Sequence, residues 1–231
     1  MSSEATDQRY YEAQQIEEDR VALWYYARVI RRLRPTGGRL LDFGCGTGHL
    51  LRRLSAHFEA LGYDASAYAR NRARMNAPDA TILEEWGSLR ERSLDAIVAL
   101  HTLEHLRRPQ AVVTQLTRLL APGGIFLFVV PNTHSLGRRL KRKRWYGHRD
   151  PSHHSLLSRG EWVALARAAG LEVQWVRGDG WWDVPYLRFV PTSMQRAIFG
   201  APAAVQLFWP RARPFLSSAL GECLIIAAVR A

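Results

Sequence analysis

Three glycines at alternate positions follow a short apolar run in the stretch "LLDFGCGTGHL". Gly44, Gly46 and Gly48 let the backbone turn tightly and let a ligand approach it closely. A helix that begins just after them would present free N–H groups to a negatively charged part of that ligand. The pattern therefore predicts a contact with part of a nucleotide-like ligand, and a tight turn without any ligand is the alternative.

Two acidic residues narrow the choice of ligand. Asp42 ends the first apolar run, and Asp64 ends the second, in "LGYDAS", sixteen residues after Gly48. An acid at the second position can accept two hydrogen bonds from ribose hydroxyls. Asp42 would repel a pyrophosphate but can hold an ammonium group. Ribose and an amino-acid ammonium without phosphate indicate S-adenosylmethionine, and the G-x-G-x-G spacing disfavours a nicotinamide-dependent dehydrogenase.

Four motifs together resemble the class I S-adenosylmethionine-dependent methyltransferase family, within the broad group that includes quinone-biosynthesis methyltransferases. They are "LLDFGCGTGHL", "GYDAS", "LDAIVALHTLEHLRRP" and "LAPGGIFLFVVPN". The similarity extends over roughly residues 10–176 and the last strand. It implies S-adenosylmethionine as the cofactor, S-adenosylhomocysteine as its product, and a seven-stranded sheet whose last strand is antiparallel.

The resemblance also implies which residues contact the cofactor. Those lining its methionine part are Asp42, Gly44, Cys45, Gly46 and Gly48. Asp64 would contact the ribose, and Ala65 and Ser66 would lie beside the adenine ring. Glu85 and Trp86 would lie near the adenine amino group. The two that face the sulfonium side are Leu100 and His101.

A candidate catalytic base lies in "DPSHHSLLS", which resembles a D-P-x-H segment of the same group and matches His153 rather than His154. A histidine can take a proton from a hydroxyl as that hydroxyl attacks the methyl group. The alternative is that His153 positions its segment through a hydrogen bond to backbone. We expect His105 to have a structural role, and Glu104 could have either. The spacing of cysteines and histidines predicts no metal site.

Apolar runs alternate with helix-like segments between residues 36 and 131, which predicts an α/β fold with a doubly wound, Rossmann-like sheet. A helical pattern precedes them, from Thr6 to Leu33, and "SRGE" at Ser158–Glu161 has the spacing of a capping box. We expect one methyltransferase domain over 1–231. Its parts outside the common pattern are an N-terminal helical region at 1–36, a basic insertion at 132–157 and an aromatic-rich insertion at 178–220, both insertions near the active site.

The net charge is +11, and seven arginines and lysines lie between Arg138 and Arg149. Such a run, interleaved with Trp145 and Tyr146, fits nucleic acid, an anionic membrane surface, or a solvated lid over the active site. The aromatic-rich insertion fits an amphipathic segment on lipid, a lid over an apolar acceptor, or a homodimer contact. We expect a small, hydrophobic acceptor, lipid-linked or polycyclic, and consider nucleic acid a less fitting partner because no RNA-binding module is recognisable.

Two distant cysteines do not make a disulfide framework, and the polar N-terminus is not a secretory signal. No apolar run reaches the roughly 20 residues that a spanning helix needs. The sequence therefore predicts a cytoplasmic protein, with peripheral contact to the inner face of a membrane as an extension. Its predicted function is O-methylation of the small acceptor. The alternatives are a non-catalytic S-adenosylmethionine-binding partner or scaffold protein, and an RNA methyltransferase.

Overall fold

The structure is a computed structural model that describes residues 21–181, 183–199 and 221–231. These residues form two compact units. The first unit takes the described residues of 1–100, 115–127 and 229–231, and the second takes those of 101–114 and 128–228. The expected single domain over 1–231 stays a prediction.

Helices and strands alternate through the first unit. Its elements are α1 (Val21–Leu33), β1 (Gly38–Phe43), α2 (His49–Leu54), β2 (Phe58–Tyr63), α3 (Ala67–Asn76), β3 (Thr81–Ile82) and β4 (Leu94–Leu100). Strand β1 pairs in parallel with both β2 and β4. The helix predicted from Thr6 is described from Val21 onward, and its earlier part lies outside the described residues.

The third strand is shorter than its apolar run suggests. The sequence indicates a strand over "ATILEE", but β3 covers Thr81–Ile82 alone. Glu84 and Glu85 are exposed, and Glu84 forms ion pairs with Arg70 and Arg74 of α3. The acidic end of the run therefore forms ion pairs with arginines of α3 and does not continue the strand.

Helix α4 (Pro109–Leu119) and strand β5 (Leu120–Pro131) contain residues of both units. The later elements are α5 (Leu136–Lys141), α6 (Tyr146–Arg149), α7 (Arg159–Ala168), β6 (Leu171–Gly178) and β7 (Cys223–Arg230). Short 3-10 turns lie at Trp86–Ser88, Leu103–His105 and Arg142–Arg144. Residues 192–199 are helical, which agrees with the helical spacing of Met194, Ala197 and Ile198. In the described part of the chain, no helix is both long and apolar enough to span a bilayer.

The seven strands form one sheet in the order β3-β2-β1-β4-β5-β7-β6. Strand β1 lies between β2 and β4, so the direction in which successive strands are added reverses there, and ligands of such folds bind beyond the strand ends at this point. Strand β7 is antiparallel. The N–H of Asp179 donates to Cys223 and the N–H of Glu222 donates to Gly180, so numbering rises along one chain segment as it falls along the other. The predicted α/β sheet with its antiparallel last strand is confirmed.

The sheet core is formed by strand segments that are apolar at successive positions, because both faces are covered. Residues 40–41 of β1, 96–99 of β4 and 126–130 of β5 are almost completely buried. In the second unit, Trp162 of α7 is fully buried, and its ring lies 6.0 Å from that of Phe128. Helix α7 therefore packs against β5 through Trp162, which is part of its apolar face.

The capping box predicted at the start of α7 is present. The Ser158 hydroxyl accepts a hydrogen bond from the Glu161 N–H at 3.3 Å, and the Glu161 carboxylate accepts one from the Ser158 N–H at 2.7 Å. Two N–H groups that have no partner within the helix are thereby satisfied.

We expect Ser158→Ala to lower the free energy of unfolding by about 1 kcal/mol, because the N-cap acceptor is lost. Urea denaturation followed by circular dichroism measures the change. Ser158→Asp is the matched control, since aspartate keeps an acceptor oxygen at the cap. Equal stability of the alanine variant and the wild type would contradict the assigned role.

Candidate active site

The glycine loop after β1 has a backbone that favours glycine at all three positions. The φ angles of Gly44, Gly46 and Gly48 are 81°, 52° and 84°, in the left-handed region that other residues rarely adopt. The N–H groups of Gly44 and Cys45 donate to the Tyr63 carbonyl at 2.7 and 3.0 Å. The loop is thus held against the end of β2.

Asp64 also holds this loop. Its carboxylate accepts hydrogen bonds from the N–H of Gly46 at 2.9 Å and from the N–H of Ser66 at 3.0 Å. The residue is buried. A carboxylate offers about four acceptor sites, so backbone N–H groups and ribose hydroxyls can bind the same group. Asp64 therefore organises the loop, and its contact with the ribose stays a prediction.

Asp42 is a buried carboxyl at the end of β1, with only 2% of its surface exposed. Among the described residues, no group donates a hydrogen bond to it. Burial, and then the charge of Asp64, raise the pKa of the Asp42 carboxyl to about 7. A cation placed beside it would favour the charged form. The position therefore suits a ligand that brings a positive charge, as the sequence predicts for an ammonium group.

Two members of the loop have packing roles as well. A Cβ atom on Gly48 would lie 2.9 Å from the Cα atom of Ala73 in α3, so the close approach of α3 requires glycine here. Cys45 is buried in an apolar cluster with Leu51 and Ala60. These contacts account for both residues without a ligand, and their assignment to the methionine part stays a prediction.

The residues assigned to the adenine side differ in exposure. Ala65 and Glu85 are exposed, whereas Ser66 is buried and its hydroxyl caps α3 by accepting from the Ala69 N–H. Trp86 makes an edge-to-face contact with Phe43 at the end of β1, with ring centroids 5.3 Å apart. The tryptophan is thereby linked to the strand that carries the glycine loop, within the first unit.

The sequence did not identify Arg70 as part of this site. Its guanidinium donates to the carbonyls of Asp64 and Ala65 at 2.7 and 3.1 Å and forms an ion pair with Glu84. The segment that follows β2 is therefore fixed from α3. A single arginine in a helix rich in arginines carried no signal of this role.

Leu100 and His101 follow each other at the end of β4, where the first unit passes into the second. Both are half-buried. His101 has a φ of 53°, and its N–H donates to the Val129 carbonyl at 2.9 Å. Its Nδ1 lies 3.3 Å from a carboxylate oxygen of Glu104. Their contact with the sulfonium side stays a prediction.

The histidines of the second unit form a cluster around His105 and His153, whose ring centroids are 4.7 Å apart. Glu104 lies beside them and is fully buried. The neighbouring His154 is exposed. From the sequence we expect His105 to have a structural role, and the D-P-x-H motif selects His153 over His154 as the candidate base. The sequence does not indicate that Glu104, His105 and His153 lie together.

The ring orientation of His153 is determined by a backbone contact. Its Nδ1 lies 2.9 Å from the Gly147 carbonyl, and because a carbonyl only accepts, this nitrogen carries a proton. In neutral His153 the lone pair is then on Nε2, which lies 3.8 Å from an Asp150 oxygen. Hydrogen bonding to backbone, the alternative role, is present, and the same contact leaves Nε2 able to accept a proton.

In the basic segment the aromatic residues are more buried than most of the cations, although Lys141 is largely buried in an ion pair with Asp183. Trp145 is fully buried, and its indole N–H donates to the Glu222 carboxylate at 3.0 Å. The Tyr146 hydroxyl contacts Cys223. These rings are therefore not presented for stacking on bases. A cavity of about 280 Å³ is lined by exposed cationic or basic side chains, namely Arg138, Arg139, Arg142, Lys143 and His148.

Comparison with known proteins agrees with the fold and with the methyltransferase resemblance. A family model described as a methyltransferase domain matches residues 17–175. A Mycolicibacterium smegmatis protein described as an S-adenosylmethionine-dependent methyltransferase is 31% identical over 64% of this chain and 57% of its own length. A ubiquinone biosynthesis O-methyltransferase of Xanthomonas axonopodis pv. citri is 29% identical over 65% of this chain and 69% of its own length. The chain thus matches little more than half of the first of these relatives.

Solved structures share the fold at low sequence identity. A chain from the complex between the Trm112 methyltransferase activator and a methyltransferase of Haloferax volcanii superposes with a TM-score of 0.67 and 18% identity, over 99% of this chain and 97% of that one. An S-adenosylmethionine-dependent methyltransferase from Archaeoglobus fulgidus gives 0.60 and 17%, over 89% and 93%. The resemblance recognised in the sequence motifs is confirmed by these matches together.

The raised pKa of Asp42 makes its effect on stability depend on pH. We expect Asp42→Asn to stabilise the ligand-free protein by about 3 kcal/mol more at pH 8 than at pH 5. The carboxyl has a pKa near 3.8 in the unfolded chain and about 7 in the folded one. Between pH 5 and pH 8 the unfolded wild type is already deprotonated, so deprotonating the folded state as the pH rises lowers the free energy of unfolding. The asparagine amide carries no such proton, so the stability of the variant lacks this dependence on pH.

Chemical denaturation at both pH values measures this difference. Asp79→Asn, at an exposed aspartate near the end of α3, is the control for the removal of one carboxyl group. An equal effect of Asp42→Asn at pH 5 and pH 8 would mean that the folded protein does not raise the pKa of this carboxyl.

Proposed function

Because this chain belongs to the methyltransferase domain family, of the class I S-adenosylmethionine-dependent type, we propose that it transfers the methyl group of S-adenosylmethionine to a hydroxyl oxygen of a small, hydrophobic acceptor. The observation that carries the cofactor part is the buried Asp42 carboxyl, which lies just before a loop of three left-handed glycines. The aromatic-rich sequence at 178–220, as a lid over the acceptor, supports an apolar acceptor.

The charges of the loop support this cofactor over a dinucleotide. Asp42 and Asp64 are two buried carboxyls in the first unit, and together they disfavour a pyrophosphate. An ammonium group beside Asp42 would lower the pKa of that carboxyl from about 7 and form a charge-assisted hydrogen bond. Asp64 would hold the ribose hydroxyls while it keeps the Gly46 N–H.

The bound cofactor supplies an activated methyl group on a sulfonium. The acceptor oxygen forms the new C–O bond, the S–CH₃ bond breaks with its electron pair going to sulfur, and the hydroxyl proton must leave the oxygen. The protein has to align the two reactants and to help remove that proton. We assign proton removal to the cluster that contains His153, whose Nε2 carries the lone pair.

The candidate base in the His153 cluster supports oxygen as the acceptor atom, since a base matters mainly for hydroxyl acceptors. The Xanthomonas relative carries an O-methyltransferase name as well. RNA as the acceptor is less well supported, because the Trp145 ring is fully buried and the half-buried Tyr146 directs its hydroxyl to Glu222 and Cys223. The non-catalytic alternative would bind the cofactor without transferring its methyl group.

We expect Asp64→Asn to weaken the binding of S-adenosylmethionine and S-adenosylhomocysteine by at least about tenfold. The amide keeps one acceptor oxygen for the loop but loses the charge and an acceptor for the ribose hydroxyls. Titration calorimetry of the full chain measures both affinities, and Asp79→Asn serves as the control. Unchanged affinity in Asp64→Asn would refute the ribose assignment.

The proposed reaction is tested with radiolabelled S-adenosylmethionine and a series of hydrophobic phenols and catechols. Label recovered in an acid-stable and base-stable ether supports O-methylation. Label recovered on an amine or in RNA would place the activity elsewhere. Cofactor binding of both ligands with no transfer to any of these acceptors would favour the non-catalytic alternative.

A second part of the proposal concerns the basic cavity. We propose that its exposed cations contact anionic lipid headgroups and place the protein at a membrane surface, where apolar acceptors concentrate. Each cation near such a surface contributes about 1 kcal/mol. The proposal is supported by the composition of the cavity lining, since each lining residue within the described part of the chain is an arginine, a lysine or a histidine.

We expect Arg139→Glu with Lys143→Glu to reduce binding to vesicles containing phosphatidylglycerol by about tenfold or more. The control is Arg107→Glu with Arg108→Glu, which changes the net charge equally at two exposed arginines outside the cavity. Co-sedimentation at low and physiological salt measures binding, with phosphatidylcholine vesicles as the neutral reference. Equal losses in the two variants would show that only net charge matters, and tighter binding to RNA than to vesicles would favour the RNA alternative.

A further inference from the structure

Glu104, His105 and His153 of the second unit bring three ligand-type side chains together. One nitrogen or oxygen atom from each residue lies within 4.8 Å of the other two. Glu104 and His105 are adjacent in the Leu103–His105 turn, and His153 comes from the segment before α7. Side chains so placed could surround a single ion.

Both imidazole rings are held through their Nδ1 atoms. His153 donates from Nδ1 to the Gly147 carbonyl at 2.9 Å. The Nδ1 atom of His105 lies 2.8 Å from the Ser152 hydroxyl, whose own proton is donated to Asp150. The serine oxygen therefore accepts from His105. In the neutral rings both Nε2 atoms carry lone pairs, and metal-binding histidines are commonly oriented in this way by partners on the other nitrogen.

Glu104 adds a negative charge that the described residues leave partly unpaired. The residue is fully buried. One carboxylate oxygen lies 3.3 Å from Nδ1 of His101, whereas the other has no hydrogen-bond partner among the described residues. A buried, unpaired carboxylate oxygen is costly unless a cation or a donor reaches it. This buried oxygen is the observation, independent of the histidines, that favours a cation-binding role for the cluster.

We propose that Glu104, His105 and His153 bind one divalent transition-metal ion of the zinc type. Two imidazole nitrogens and one carboxylate oxygen form the three-ligand set that leaves a coordination position open in catalytic zinc sites. Magnesium and calcium prefer oxygen ligands alone, so they fit this donor set less well. The sequence predicted no metal site, because it could not show that residues 105 and 153 meet.

An open position at this ion would accept water or the hydroxyl oxygen of an acceptor. A metal-bound hydroxyl loses its proton more readily, and that proton passes to solvent. This role rests on the O-methylation proposed above, whereas binding of the ion does not. With the ion bound, the Nε2 lone pair of His153 coordinates the ion and cannot accept a proton, so this role replaces the direct proton removal assigned to His153 above.

The test uses untagged full-length protein, stripped with a chelator and dialysed. We expect Zn²⁺ titration in competition with a chromophoric chelator to give one ion per chain, and Co²⁺ to produce visible absorption bands of a low-coordinate site. His153→Gln and Glu104→Gln should each weaken Zn²⁺ binding by at least about tenfold. His154→Gln, at the adjacent exposed histidine, is the matched control.

Circular dichroism and the affinity for S-adenosylhomocysteine identify any variant that has lost its fold. A wild-type chain that binds no Zn²⁺, or an affinity that is equal in His153→Gln, Glu104→Gln and His154→Gln, would overturn the proposal. Metal binding is measured without acceptor or cofactor, so it can succeed where methyl transfer fails. Loss of methyl transfer on chelation, restored by Zn²⁺, separately supports the catalytic role, and transfer unaffected by chelation overturns that role.

Discussion

The hydrogen bond from the Gly46 N–H to the Asp64 carboxylate is the contact on which the candidate cofactor site depends. Strands β1 and β2 pair in register, with Phe43 opposite Tyr63, so the segments that follow them leave the sheet side by side. The Tyr63 carbonyl accepts two N–H groups from the loop, and Asp64 accepts the next. The loop conformation and the position of the acidic side chain are therefore determined together, and neither strand end could be changed alone.

Much of the fold could be predicted because its signals are local. Strands such as β4 and β5 contain runs of consecutive apolar residues, and the capping box of α7 consists of two residues three apart. The length of β3 could not be predicted in this way, since Glu84 pairs with arginines of α3 that the apolar pattern does not register. The loop and its two acids were likewise readable because they follow consecutive strands.

The histidine cluster could not be predicted from local sequence patterns. All of α4, all of β5 and most of the basic segment lie between His105 and His153 in the sequence. The contact between their rings depends on how those elements pack. The adjacent pair His153 and His154 drew attention in the sequence, yet one faces solvent and the other does not. A partner that is distant along the chain is visible only in the fold.

Charge is sorted by depth in this basic protein. The net charge is +11, and many of the arginines and lysines among the described residues are exposed, while Asp42, Glu104 and Glu222 are buried acids. Burial raises the pKa of Asp42 and of Glu222. The interior thus favours cationic groups and the surface favours anionic ones, which is consistent with a cofactor that carries positive charge and with an anionic surface outside.

The buried Trp145 has a consequence for the cations around it. Its indole N–H is tied to Glu222 next to β7, and the Tyr146 hydroxyl reaches the same strand. The backbone that carries Arg142, Lys143 and His148 is therefore anchored at its centre before any ligand arrives. Fixing a backbone residue takes roughly 1–2 kcal/mol of conformational entropy, and here that loss belongs to folding. An anion meeting this surface has only side chains left to order.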